Sequence, residues 1–99
     1  MPKKMSLPNL DLTTENIRKI EDEILLLARH CQTYDEIMSA GTTVWDWSAK
    51  VLKMEIDDLR GEVETHALDE KYPDKFQEEK DHLLKIPLVL LDHLHHPNI

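Results

Sequence analysis

Cysteine and glycine are scarce in this 99-residue chain, and both scarcities narrow the choice of fold. The single cysteine, Cys31, has no second cysteine with which to form an internal disulfide, so a disulfide-stapled scaffold is excluded. Two glycines are too few for a glycine-rich phosphate-binding loop or for the many turns of a β-sandwich. With 40% hydrophobic residues, the composition favours a packed helical core.

A long apolar run is also missing from the sequence. No stretch approaches the roughly 20 apolar residues that cross a bilayer, and the richest, residues 83–91, is interrupted by Lys85 and Pro87. The residues after Lys3 and Lys4 contain no apolar segment typical of a secretory leader. We therefore predict a cytoplasmic protein without membrane partners.

Basic residues are outnumbered, with 12 Lys and Arg against 20 Asp and Glu and a net charge of −8. Such a surface repels phosphate backbones, so we do not expect direct nucleic-acid binding. The excess of acidic residues is greatest over residues 55–81, which contain eleven acidic and four basic residues. This segment is either a solvated face or a surface that attracts a cationic partner. One hypothesis is that the acidic surface of residues 55–81 mimics nucleic acid and blocks a basic protein.

Apolar residues recur every three or four positions through most of the chain, which predicts amphipathic helices. Residues 1–10 lack this period and are predicted to form a flexible arm, and residues 11–99 are predicted to form a single helical domain. The first helix is expected over residues 13–31, with Thr13 or Asp11 as its N-terminal cap.

Local capping signals predict the start of two further helices. Thr33 begins a capping-box pattern and a short helix that Gly41 is expected to end. Asp74 precedes the last helix, which is expected to kink or restart at Pro87 because proline lacks a backbone N–H. Together with a long central helix, these elements predict an all-α fold, a small three- to four-helix bundle.

The central helix is predicted to run unbroken over residues 44–70 and to carry two apolar stripes. One stripe follows a heptad spacing and comprises Trp45, Ala49, Leu52, Ile56, Leu59, Val63 and His66. The second comprises Val44, Trp47, Val51 and Met54. At about 100° per residue the stripes lie more than a right angle apart, so two faces must be covered. Either helices of the same chain cover both faces, or one face is an interface.

The interface interpretation predicts a non-enzymatic helical module that binds protein, as a homodimer through the helix over residues 44–70. Its interface residues would be Val44, Trp47, Val51 and Met54, because tryptophan and methionine are enriched at interfaces. The sequence contains no nucleophile elbow, phosphate loop or dinucleotide fingerprint, and no cofactor is expected. The partner would be a second copy, another protein, or both.

The carboxylates of the two long helices predict an alternative, magnesium-dependent function. One row lies on the central helix and one on the last helix, and antiparallel packing would let both hold a hard cation. The proposed ligands are Glu55, Asp58, Glu62, Glu78 and Asp81. Glu-x-x-Asp, a loop and a second Glu-x-x-Asp followed by leucines resembles the all-α nucleotide pyrophosphohydrolases of the MazG and phosphoribosyl-ATP types. This resemblance, over residues 50–91, implies a Mg²⁺-dependent enzyme similar to the nucleotide pyrophosphohydrolases, with these carboxylates as the metal ligands.

Overall fold

Four α-helices make up the fold, which a computed structural model describes for residues 7–66 and 71–96. They are α1 (Thr14–His30), α2 (Tyr34–Leu52), α3 (Ile56–His66) and α4 (Lys75–His95). The described residues contain no strand, so the prediction of a small all-α helical bundle is confirmed. Residues 1–6 of the predicted arm and residues 67–70 of the predicted central helix lie outside the described residues.

Side-chain caps set the start of three helices. Thr13, Thr33 and Asp74 each accept a hydrogen bond from the backbone N–H three residues later, at 2.8–3.2 Å. Each bond satisfies an N–H group that has no partner inside the helix. These caps lie where the sequence predicts them, because a cap depends only on residues that are close along the chain.

The predicted end of a short helix at Gly41 is wrong, because α2 continues through this residue. Gly41 does not adopt the left-handed conformation that ends a helix. A Cβ at this position would lie 3.0 Å from Leu83 Cδ1 of α4. The glycine therefore allows α2 and α4 to approach closely and does not serve as a C-terminal cap.

The prediction of an unbroken helix over residues 44–70 is also wrong, because α2 ends at Leu52. Lys53 follows in the left-handed conformation, with φ 56° and ψ 46°. Lys53 N donates to Lys50 O at 3.2 Å and Met54 N to Ala49 O at 3.0 Å. This bond pair is the Schellman motif, which satisfies the last carbonyl groups of a helix.

The chain resumes as α3 at Ile56, with Asp57 and Asp58 in its first turn. Negative charge is favourable at this end of a helix, because the unpaired N–H groups give it partial positive charge. The apolar spacing continues across the break, so periodicity alone does not reveal it. The acidic pair is the sequence signal that marks the new helix.

The longest helix, α4, packs against each of the other three. It continues through the buried Pro87 as one helix, so the restart that was predicted as one alternative does not occur. None of the helices in the described part of the chain is long and apolar enough to cross a bilayer. The hydrophobic core draws on all four helices and comprises Ile17, Ile20, Ile24, Ile37, Val44, Trp45, Trp47, Ala49, Val51, Leu59, Val63, Leu83, Ile86, Val89 and Leu90.

Candidate interaction surface

The four residues predicted as a dimer interface lie inside the chain's own fold. Val44, Trp47 and Val51 are buried, and Met54 is half-buried against the core. Trp47 Nε1 donates to the Pro8 carbonyl oxygen at 3.1 Å, so part of the predicted arm contacts the indole. Because one chain covers these side chains, a homodimer requires a different surface.

The other indole, Trp45, takes part in a buried polar cluster that joins α2, α3 and α4. Trp45 Nε1 donates to Glu79 Oε1 at 2.9 Å, and Arg60 Nη2 lies 3.3 Å from the same oxygen. The Arg60 guanidinium also lies over the Trp45 ring, 4.5 Å from its centroid. Only 6% of Glu79 is exposed, and the arginine compensates its buried charge. The cluster therefore connects three helices with its polar groups paired.

The three carboxylates in and just before α3 that are predicted to bind magnesium lie in different surroundings. Glu55, which precedes α3, and Asp58 are exposed. Glu62 Oε1 lies 2.8 Å from His93 Nε2 of α4 and forms an ion pair when the imidazole is protonated. Glu62 therefore contacts α4 through a histidine, and among the described residues no hydrogen bond or ion pair joins Glu55 or Asp58 to α4.

The α4 carboxylates of the same hypothesis are also separated from a common site. Glu78 is exposed, whereas Asp81 accepts a hydrogen bond from the Tyr72 hydroxyl and pairs with Lys85 Nζ at 3.8 Å. Across the described ranges, no group of three or more His, Cys, Asp or Glu side chains is placed to hold a metal ion. The structure does not bring the five predicted magnesium ligands together.

The acidic segment of residues 55–81 is only partly a solvated surface. Asp57, Asp58 and Glu64 of α3 are exposed, but Glu79 is buried and paired with Arg60. Several acidic side chains of this segment are thus used inside the fold or paired locally. The hypothesis of a nucleic-acid mimic stays a prediction that rests on the α3 face.

The outer face of α4 carries exposed leucines. Leu84 is 39% and Leu88 49% exposed, whereas Leu83 and Leu90 of the same helix are buried. Leu84 and Leu88 lie one turn apart and point in directions that differ by about 40°. Leu91 is half-buried beside them, which gives a four-three spacing typical of a helix that pairs with another helix.

Opposite charges flank this leucine pair on the same helical ridge. Lys80 lies one turn before Leu84, and Asp92 lies one turn after Leu88. We call these four residues, spaced four apart, the α4 row. Lys80 Nζ lies 5.0 Å from the centroid of the Phe76 ring, an attraction that holds the lysine stem on the helix surface. The row therefore combines an apolar centre with a cationic and an anionic end.

An open groove of about 540 Å³ adjoins the N-terminal end of the α4 row. It is lined by Tyr72, Pro73, Asp74, Gln77, Lys80, Asp81 and Leu84. Its walls mix aromatic, apolar and charged groups, as is common at the polar rim of protein interfaces. Two residues of the α4 row, Lys80 and Leu84, therefore also line this groove.

A second groove, of about 490 Å³, lies between α2 and α3 beside Trp45 and Arg60. Thr42, Thr43 and Asp46 contribute polar groups to its lining. The charge of Arg60 is already paired with Glu79, so the groove offers an aromatic edge more than a cation. This arrangement is suited to packing and offers little for binding an anion.

Cys31, at the end of α1, is a half-buried thiol. Burial raises the pKa of this thiol and Glu36 raises it further, while Lys80 lowers it in part. Because the thiolate is the nucleophilic form, a raised pKa keeps the group unreactive near neutral pH. The surroundings of Cys31 therefore do not activate its thiol.

The sequence does not by itself single out the α4 row, because its leucines belong to one apolar run over residues 83–91. The sequence does contain a signal that separates them. Leu83 and Leu90 are seven apart and share one side of a helix, whereas Leu84 and Leu88 lie about 100–140° away from Leu83. A helical projection therefore distinguishes an inner and an outer set of leucines.

Comparison with known proteins gives no relative: no protein-family model, curated protein or solved structure matches the chain. The functional argument therefore rests on the geometry of the residues described above.

Proposed function

We propose that this chain is a non-enzymatic helical module that binds protein, and that it forms a homodimer through the outer face of α4. The observation that supports this proposal is the exposure of Leu84 and Leu88, one turn apart, in a fold that buries both of its tryptophans. Single exposed leucines are ordinary on protein surfaces, but a contiguous apolar stripe is typical of an interaction site.

The energetic argument compares the two sides of the same helix. Removing apolar surface from water contributes roughly 25 cal/mol per Å² within one chain, and between two chains this gain is reduced by the entropy that association costs. Leu83 and Leu90 gain this stabilisation in full within the chain, whereas 39% of the surface of Leu84 and 49% of that of Leu88 stay in contact with water. Pairing with another apolar helix is the simplest way for the outer leucines to gain it.

The polar groups of the interior support a structural role more than a catalytic one. Glu79 is paired with Arg60 and Trp45, and Glu62 with His93. A general base or nucleophile must be available to a substrate, whereas these groups are engaged with one another. The proposal therefore assigns them to holding α2, α3 and α4 together.

The test is sedimentation equilibrium of the wild-type chain and two matched variants, from micromolar to near-millimolar concentration. Leu88 and the α1 residue Leu25 are both 49% exposed, so Leu88→Asp and Leu25→Asp change equally exposed side chains on different helices. We expect wild type and Leu25→Asp to dimerise and Leu88→Asp to stay monomeric. All three should unfold at similar temperatures in the monomeric state.

Two results would contradict the proposal. A wild-type chain that stays monomeric at every concentration would rule out the homodimer. A dimer that Leu25→Asp dissociates and Leu88→Asp does not would place the interface on α1 instead of α4.

A further inference from the structure

We infer that two copies pair through the α4 row in antiparallel register, with Leu84 against the partner's Leu88 and Lys80 against the partner's Asp92. This inference rests on the proposed homodimer and specifies its geometry. It follows from the order of the four residues along the helix and from which of their neighbours are already paired.

The α4 row is complementary to itself when reversed. A twofold axis that crosses the row midway between Leu84 and Leu88 places residues at equal distances from that point opposite one another. The two leucines of each copy then meet those of the other, and each Lys80 meets an Asp92. A parallel arrangement would place lysine against lysine and aspartate against aspartate, so the charges select the antiparallel register.

The ridge geometry of helices permits this contact. Residues four apart form a ridge inclined by about 26° to the helix axis, and two such ridges lie side by side when helices cross at about 50°. At about 1.5 Å per residue, the row from Lys80 to Asp92 spans about 18 Å. The 21-residue α4 contains the whole row, so both charged ends are held on regular helix.

The charges beside the row do not oppose this register. Asp81 and Lys85 flank the leucines and pair with each other at 3.8 Å, so they add little net charge to the face. Asp92 is exposed, and Lys80 extends along the surface over Phe76. Along α4 itself, the leucine pair therefore ends in one cation, Lys80, and one anion, Asp92.

The groove at the start of the row supports the same arrangement. Gln77 lies three residues before Lys80 and lines the groove, and His95 lies three residues after Asp92 and is exposed. In the antiparallel register the partner's His95 is placed opposite Gln77, beside the mouth of the groove. The concave surface thus lies next to the end of the partner's helix.

The outer face of α1 offers a weaker match. Its exposed leucines, Leu25 and Leu26, are neighbours in sequence and point about 100° apart, so they do not share a ridge. Leu84 and Leu88 are exposed to a similar extent, but they point only about 40° apart and so share one ridge that a single helix can contact. This difference is why we place the second copy on α4.

Charge reversal with rescue tests the register, measured as the dimer dissociation constant by sedimentation equilibrium. Lys80→Glu alone and Asp92→Lys alone each place like charges opposite one another twice, and each should raise the constant roughly tenfold. The double variant Lys80→Glu/Asp92→Lys reverses both pairs and should return the constant to near the wild-type value. The two positions are too far apart along one helix to rescue each other within a chain.

Arg18→Glu is the matched control, because it changes the net charge as Lys80→Glu does but lies on α1. It should leave the dissociation constant within about twofold of wild type. Far-UV circular dichroism verifies that each variant is folded.

The outcomes separate the register from the homodimer itself. If Leu88→Asp abolishes the dimer but the double variant is as weak as the single variants, the antiparallel register is wrong and the homodimer stands. If wild type does not self-associate, the proposed function and this inference both fall.

Discussion

The inner and outer faces of α4 are both rich in leucine, yet the inner leucines are fully buried in the chain's own fold and the outer ones are only partly covered. Leu83 and Leu90 are at most 1% exposed and contact the core, whereas Leu84 and Leu88 face water. The two sets have the same chemistry and differ only in direction around the helix. The stability of the monomer and its association should therefore respond to different leucines of one helix.

The largest expected effect is the difference in unfolding free energy between alanine variants of an inner and an outer leucine of α4. Leu90→Ala should lower the free energy of unfolding by about 2–5 kcal/mol, because it leaves a cavity in the core. Leu88→Ala should change the monomer by no more than about 0.5 kcal/mol, because its side chain is already half in water. Urea denaturation at concentrations below dimerisation measures both values. Equal losses would show that the two faces do not differ as described.

The next largest effect is expected at Glu79, a buried polar residue on the inner face of α4. Glu79→Ala should cost about 2 kcal/mol of unfolding free energy, because Arg60 loses its counter-ion and Trp45 Nε1 its buried acceptor. The arginine is partly exposed, which limits the loss. Urea denaturation followed by tryptophan fluorescence gives the value.

Glu79→Gln is the control for this prediction. It keeps an oxygen that accepts from Trp45 but removes the charge that faces Arg60, so its loss should be smaller than that of Glu79→Ala. A glutamine variant as unstable as the alanine variant would show that the charge alone is responsible.

The two glycines sharpen the comparison between buried and exposed positions. Gly61 is exposed in α3 with no atom within 4 Å of an added Cβ, so Gly61→Ala should stabilise the chain by about 0.5–1 kcal/mol through helix propensity. At Gly41 the same gain is opposed by contact with the buried Leu83, so Gly41→Ala should be net destabilising. Thermal denaturation of both variants should rank Gly61→Ala above wild type and Gly41→Ala below it; the reverse order would contradict the close approach.

The smallest effect is expected at Cys31, which follows α1 and packs half-buried against the core. Its raised pKa means that the native thiol should react with a disulfide reagent more slowly than the unfolded chain at the same pH. The rate should rise only at more alkaline pH. Because the pKa of the Cys31 thiol is higher in the folded than in the unfolded chain, its contribution to the free energy of unfolding is present at neutral pH. That contribution is lost as the pH rises through the folded-state pKa. Equal native and unfolded rates at neutral pH would contradict the shift.

The sequence predicted the parts of the fold that depend on neighbouring residues. The caps at Thr13, Thr33 and Asp74 lie as expected, because each bond joins residues three apart. Two predictions were wrong, the helix end at Gly41 and the unbroken helix through Lys53. The backbone at these positions depends on distant contacts or on an unusual conformation. A glycine is needed at position 41 because α4 lies so close to it. Lys53 adopts a left-handed conformation that is uncommon for lysine.

The burial of the residues predicted as an interface could not be foreseen for a related reason. The stripe of Val44, Trp47 and Val51 was assigned to an interface because local periodicity shows that a face is apolar and does not show what covers it. In the structure, Trp47 is covered in part by a segment 39 residues earlier in the chain. The exposed leucines of α4 were visible as apolar residues, but their direction depends on which side of α4 the other helices occupy.

The hydrogen bond from Trp47 to the Pro8 carbonyl gives the protein an internal reporter. Detachment of the segment around Pro8 would expose one indole to water and shift its emission to longer wavelength, while Trp45 stays enclosed by Glu79 and Arg60. In a Trp45→Phe background, the emission of a single fluorophore would then follow whether this segment is docked. Fusion tags or proteolytic cleavage near Pro8 can be judged by the same optical signal.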